Sequence, residues 1–379
     1  MAVTGSVRPM SSALRHARQG ASRHGSKQAA VQPTTTERLR FQVSKAAVSA
    51  PPDQITLRRA NVTDDGAIMQ AFNATFNVER NCDYWRWKFA RDSRTSMIIA
   101  VDEIGRVHAQ FGVAPIRYRA ARGGNILGGL GADAFAVRRA ADVQARLFIK
   151  TVRLFFTPAG CLHDHHFTFG FPNDAAYGIY RHTVPLRYDF QLSLYSRQIT
   201  DERLSFLASD AVPTPAAVDD LWQRIGSKYS FSAVKDSEWF GWRFLQNPSA
   251  SYGFVTVDRQ EGGLAAWAAV RKVGKTLVLV DLTIDPDDYL AAKRLDTALL
   301  KRAANGGCNA ILGILPDWFV PLFAKIEPGA TSQGLGRTQP GWERATDVMP
   351  IRFVLSDHHS VVFEMGTTPW FSFADSDLY

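Results

Sequence analysis

From residue 54 onward, apolar positions recur with a period of two over short runs and of three to four over longer ones. Met97-Ile98-Ile99-Ala100-Val101, then residues 107–117 and 130–137, predict three consecutive strands. Residues 139–156 predict an amphipathic helix behind them. A short apolar strand, Phe167-Thr168-Phe169-Gly170-Phe171, ends at Pro172, and another helix opens near Asp174. The same order then returns. Residues 252–257, 264–271 and 277–284 predict strands, 287–305 a helix, and 311–315 a strand closed by Pro316 before a helix near Trp318.

An aromatic signature precedes each series. Residues 84–89 read Tyr-Trp-Arg-Trp-Lys-Phe and residues 239–244 read Trp-Phe-Gly-Trp-Arg-Phe, so that Trp87 falls on Trp242 at an offset of 155. Two copies of one ordered series imply a tandem α+β chain. The expected division is a first domain at 53–198, a linker with a short helix at 199–230, and a second domain at 231–379. Trp87 and Trp242 are expected in equivalent buried positions, each beneath the sheet of its own copy.

Composition narrows the field. The chain has 379 residues, 46% of them hydrophobic, enough for two cores. No apolar run approaches the roughly 18 residues of a membrane span, which argues against membrane insertion. The three cysteines lie far apart with no CxxC, which excludes a disulfide framework and a cysteine zinc module. Residues 1–50 carry eight Lys/Arg against one acid and so hold +7 of the net charge of +8. Residues 1–52, poor in large apolar groups, read as a disordered basic tail, with an organelle transit peptide as the alternative. The near-neutral remainder argues against nucleic-acid binding beyond weak contacts of that tail. His163-Asp164-His165-His166 lacks helical ligand spacing and reads as a solvated loop; Asp357-His358-His359 has no evident third ligand, and no metal is expected. No P-loop, Gly-x-Ser-x-Gly or dinucleotide fingerprint is present.

Three segments resemble the GCN5-related N-acetyltransferases, in the tandem form found in bacteria. Phe72-Asn73-Ala74-Thr75-Phe76 with Tyr84 to Phe89 is similar to that form's opening helices. Asn173, Ala176 and Tyr180 fall on the family's Asn-x-x-Ala-x-x-x-Tyr signature. Asp220-Leu221-Trp222, Asp236, Trp242-Arg243-Phe244 and Asn247-Pro248 resemble the start of the second copy. The resemblance implies two acyl-CoA N-acyltransferase-like domains, each a mixed, mostly antiparallel sheet flanked by helices. In that fold, two parallel strands splay and the pantetheine arm of acyl-CoA pairs with the exposed strand edge.

It implies an N-acyltransferase that moves an acetyl or other acyl group from acyl-CoA to a small-molecule amine, in the cytoplasm, with the second copy degenerate. Tyr180 would be the general acid and Asp133 the base. Their structural alternatives are a core aromatic and a strand-end carboxylate. Phe135, Ala136, Val137, Arg138, Arg139, Gln144, Ala145 and Asn173 would hold the CoA. No glycine lies between Gly131 and Gly160, so Arg138, Arg139 and Arg146 would replace the family's glycine-rich phosphate turn by charge pairing. The rival reading is a catalytically inactive binding module. Acceptor, chain length and oligomeric state are not written in the sequence.

Overall fold

A computed structural model describes residues 54–89, 96–120, 123–137, 141–186, 188–199, 211–229, 231–315, 320–324, 341–345, 351–357, 372 and 374. The basic tail, Arg138, Arg139 and the second His pair lie outside these. The first half runs β1 (Ile55–Arg59), α1 (Asp65–Phe76), α2 (Cys82–Phe89), β2 (Met97–Asp102), β3 (Val107–Arg119), β4 (Asn125–Ala136), α3 (Ala141–Phe155), β5 (Phe167–Gly170), α4 (Asp174–Thr183), β6 (Tyr188–Leu192) and β7 (Leu194–Gln198). The second runs α5 (Pro215–Ile225), β8 (Ser232–Ala233), α6 (Ser237–Phe240), β9 (Gly253–Asp258), β10 (Leu264–Val273), β11 (Thr276–Ile284), α7 (Tyr289–Asn305), β12 (Ala310–Ile314), α8 (Val320–Ala324), β13 (Glu343–Arg344) and β14 (Ile351–Asp357). No described helix is long and apolar enough to cross a membrane.

Two mixed sheets result. The first has the order β1-β2-β3-β4-β5-β14-β6 with β8 on β3, and the second the order β13-β7-β12-β11-β10-β9. In each, the three-strand meander is antiparallel and the strand after the helix returns parallel to the third: β5 beside β4, and β12 beside β11. That matches the expected α+β architecture.

The linear division at 198 and 231 does not follow the sheets. β7, from the end of the expected first domain, pairs with β12 in the second sheet. β14, near the C-terminus, enters the first sheet between β5 and β6. Each half thus lends the other a strand, and neither sheet is complete without both. The expected linker is also part of the fold. Thr214 caps α5 by accepting from the Ala217 N–H, Pro215 opens it, and Val218, Leu221 and Ile225 are buried.

Helix faces follow the sequence period. On α3, Leu147, Phe148, Val152 and Phe155 share one face at helical spacing (i, i+4 from 148 to 152, i, i+3 from 152 to 155) and pack on Ile98, Ala100, Ala109, Phe111 and Val113 of β2 and β3. On the opposite face of the same sheet, Phe72 and Trp85 of α1 and α2 join Met97, Ile99, Leu130 and Phe135 in the main core. Alternate residues of β2 therefore serve two cores, which is why all six are buried.

The two signature tryptophans are equivalent, but they do not lie beneath separate sheets. Their rings stack on each other with centroids 5.4 Å apart. The Trp87 indole N–H donates to the Trp242 carbonyl at 2.7 Å, and the Trp242 N–H donates to the Trp87 carbonyl at 2.8 Å. The contact is reciprocal, as expected where two copies of one motif meet across a local twofold. The repeat extends further. Arg80 pairs with Asp133, and Lys235, at the same offset of 155 as the tryptophans, pairs with Asp281.

Candidate active site

The parallel pairing of β4 with β5 stops at Gly131 opposite Gly170, while β4 continues to Ala136. The two strands diverge from that point. β4 also bulges there: its register against β3 passes from Gly112–Ala132 to Gln110–Phe135, leaving two residues opposite Phe111. Asp133 occupies the bulge with φ 50°, a left-handed conformation that non-glycine residues seldom adopt. With its amide turned to satisfy both neighbours, the buried Gln110 pins it, donating to the Asp133 carbonyl at 2.8 Å and accepting from the Gly112 N–H at 3.1 Å. A polar residue in the middle of an apolar strand was the sequence signal for that clamp.

A cavity of about 460 Å³ fills the gap between the diverging strands. Asp133, Phe135, Ala136, Gln144, Asn173 and Tyr180 all line it. The structure therefore brings together six of the ten expected site residues, drawn from β4, α3 and α4. Val137 and Ala145 are half-buried but are not among the lining residues. Gln144 is buried and donates to the Ala136 carbonyl at 2.7 Å, fastening the first turn of α3 to the end of β4. Asn173 caps α4 by accepting from the Ala176 N–H at 2.9 Å.

Tyr180 lies two turns into α4, edge-on to Phe111 at 5.9 Å and stacked against Phe148 at 6.4 Å between ring centroids. Burial pushes its phenol above the ordinary tyrosine range. It is thus a proton donor, not a phenolate, at neutral pH. The core-aromatic and cavity-lining descriptions of this residue both hold.

Asp133 has a different setting from the one expected of a base. Lys88 Nζ donates to its carboxylate at 2.7 Å, and Arg80 approaches at 3.4 Å. Lys88 is nearly fully buried. Protonating this carboxylate would take the negative charge away from beside a buried ammonium, so its surroundings favour holding the bulge over accepting a proton. Sequence reasoning missed Arg80 and Lys88 because α2 and the turn before it approach β4 only in the fold.

The second half repeats the geometry and closes it. The β11–β12 pairing stops at Leu279 opposite Gly313, and β11 bulges against β10 at Val280, between the Ala269–Asp281 and Val270–Leu279 pairs. Here the chain's own side chains occupy the β11 edge. Tyr229 hydroxyl donates to the Ile284 carbonyl and accepts from the Ile284 N–H, while Lys235 donates to the Leu282 carbonyl at 2.9 Å and to Asp281. A strand-like ligand would have to displace both.

The first His cluster is not the solvated loop expected. Asp164 pairs with Arg59 and accepts from Ser96 Oγ at 2.7 Å, His165 is buried, and His166 Nδ1 accepts from the Leu127 N–H at 3.2 Å. These bonds fasten the segment before β5 to β1, to Ser96 just ahead of β2, and to β4. Among the described residues, no three His, Cys, Asp or Glu side chains are grouped to hold a metal.

No protein-family profile and no curated protein matches the chain. Solved structures do. A conserved protein of unknown function from Enterococcus faecalis, described as a probable N-acyltransferase, is 11% identical over 81% of this chain and 73% of that one, with a TM-score of 0.55. A GCN5-related N-acetyltransferase from Kribbella flavida is 13% identical over 80% of this chain and 71% of its own, with a TM-score of 0.54. One from Anabaena variabilis is 8% identical over 80% and 73%, with a TM-score of 0.53. At such identities the likeness concerns the fold, and it supports the GCN5-related resemblance.

Proposed function

We propose that this chain transfers an acyl group from acyl-CoA to an amine, with the β4–β5 cleft of the first sheet as its site. The observation that carries the reading is the coincidence of splayed strands, pinned bulge and cavity at one place. An extended pantetheine arm fits such a gap as an added strand, its amides bonding to the β4 edge. The diphosphate end would run toward the start of α3, since a helix N-terminus favours anions. The fold's likeness to proteins described as N-acetyltransferases adds support.

The chemistry is a displacement. The amine nitrogen attacks the thioester carbonyl, the C–S bond breaks, and the departing thiolate takes a proton. Tyr180 is placed to supply it, and the proton lost by the amine restores the phenol. The second cleft, occupied by Tyr229 and Lys235, takes no part.

Calorimetric titration with acetyl-CoA and longer acyl-CoAs tests the reading. It should give one site per chain, and Ala176→Trp, which fills the cleft from α4, should abolish the heat without lowering the melting temperature. No heat with any acyl-CoA would refute acyl transfer and favour the rival binding module.

A further inference from the structure

We propose that the second half binds a small phosphate-bearing molecule at the corner where α7 ends beside β9 and β10. The two halves differ at this corner. In the first, residues 156–166 join α3 to β5 and fold back into it. Cys161 is buried there, its N–H donating to the Phe155 carbonyl at 2.9 Å. The fold-back seats the Asp164 carboxylate against Ser96 Oγ, at 2.7 Å, and the Arg59 guanidinium. The first corner thus holds an anion that the chain itself supplies.

The second half keeps the corner without that segment. Cys308 repeats Cys161, its N–H donating to the Ala303 carbonyl at 2.8 Å, but only residues 306–309 join α7 to β12. Ser251 stands 155 residues beyond Ser96, the offset that relates the two tryptophans. A cavity of about 730 Å³ lies here, with Ser251 on its wall. It reaches β11 at Leu277, the end of the strand opposite Ile284 where Tyr229 binds. It is therefore separate from the closed second cleft.

Lys272 of β10 and Lys301 and Arg302 of α7 line this cavity, and no carboxylate does among the described residues. Lys272 Nζ donates to the Gly306 carbonyl at 2.5 Å, a neutral partner that leaves the ammonium charge in place. Arg302 lies against Gly253, where a Cβ would come within 2.8 Å of its guanidinium. Lys301 and Arg302 also engage other groups of the chain. An ammonium has three N–H donors and a guanidinium five, so each can keep its present contact and still reach a phosphate oxygen. A carboxylate alone, as Asp164 provides in the first half, would leave most of this volume unfilled. A phosphate offers several oxygens to cations on two elements, and Val270 and Leu277 give its organic remainder an apolar wall.

Calorimetric titration of the full chain with pyrophosphate, and with acetate as the carboxylate control, provides the test. Pyrophosphate should bind at least about tenfold more tightly than acetate. Lys272→Gln and Lys301→Gln together should weaken it by roughly a hundredfold, about tenfold for each charge-assisted bond. Ser251→Glu, at an exposed position, brings a carboxylate to the corner as Asp164 does in the first half. It should weaken pyrophosphate by about tenfold or more without lowering the melting temperature. Ala176→Trp, which fills the first cleft, should leave pyrophosphate binding unchanged. Silence from pyrophosphate, equal affinity for acetate, or binding that survives the double substitution would each overturn the proposal. Loss of pyrophosphate binding in Ala176→Trp would overturn it as well, by assigning the anion to the first cleft.

Discussion

Tyr180→Phe is expected to lower turnover by roughly 10²–10⁴-fold, the range for a lost general acid, while leaving folding and acyl-CoA binding intact. The variant keeps the ring, and so keeps the contacts with Phe111 and Phe148. Only the hydroxyl goes. Because burial holds the phenol above the ordinary tyrosine range, the native residue is protonated throughout the neutral region. Activity should therefore not fall through Tyr180 ionisation as pH rises to 9. A panel of amines with a thiol-release readout measures the effect. Unchanged turnover in the variant would take Tyr180 out of the mechanism.

Trp242→Ala should cost roughly 3–5 kcal/mol of stability, the usual loss for truncating a large buried aromatic. The indole is 7% exposed, stacks on Trp87 and bonds its carbonyl. Its removal also leaves Trp87 without its stacking partner. Because β7 and β14 cross between the sheets, the halves should still unfold together, giving one transition shifted to lower denaturant. Urea unfolding followed by far-UV circular dichroism measures this. A loss below about 1 kcal/mol would mean that the Trp pair is a surface contact, not a structural joint.

The fold was legible because its signals are local and repeated. Residues 139–156 carry the amphipathic period of α3, and the tandem Trp signature locates the second copy; both survive nearly unchanged in the structure. What could not be read was long-range pairing. Nothing in 351–357 distinguishes a strand of the second sheet from one inserted beside β5, because register and neighbour are set by the assembled sheet edges. The same limit hid Lys88. Its alignment with Arg243 is sound as sequence, yet Lys88 turns to Asp133 while Arg243 donates to the Ala374 carbonyl at 2.8 Å. At the site, Tyr180 and Asn173 were legible from a motif with fixed helical spacing. The apolar wall of the cavity was not, because Phe72, Phe135 and Phe169 come from three separate elements.

Hydrogen–deuterium exchange with and without acyl-CoA reads the central claim strand by strand. Ligand pairing with the β4 edge should slow exchange in residues 131–137 and at the start of α4, 173–180. The matching β11 segment, 279–284, should be unchanged, since Tyr229 and Lys235 already occupy its edge. Protection confined to 279–284, or absent from 131–137 at saturating ligand, would contradict the assignment of the site to the first cleft.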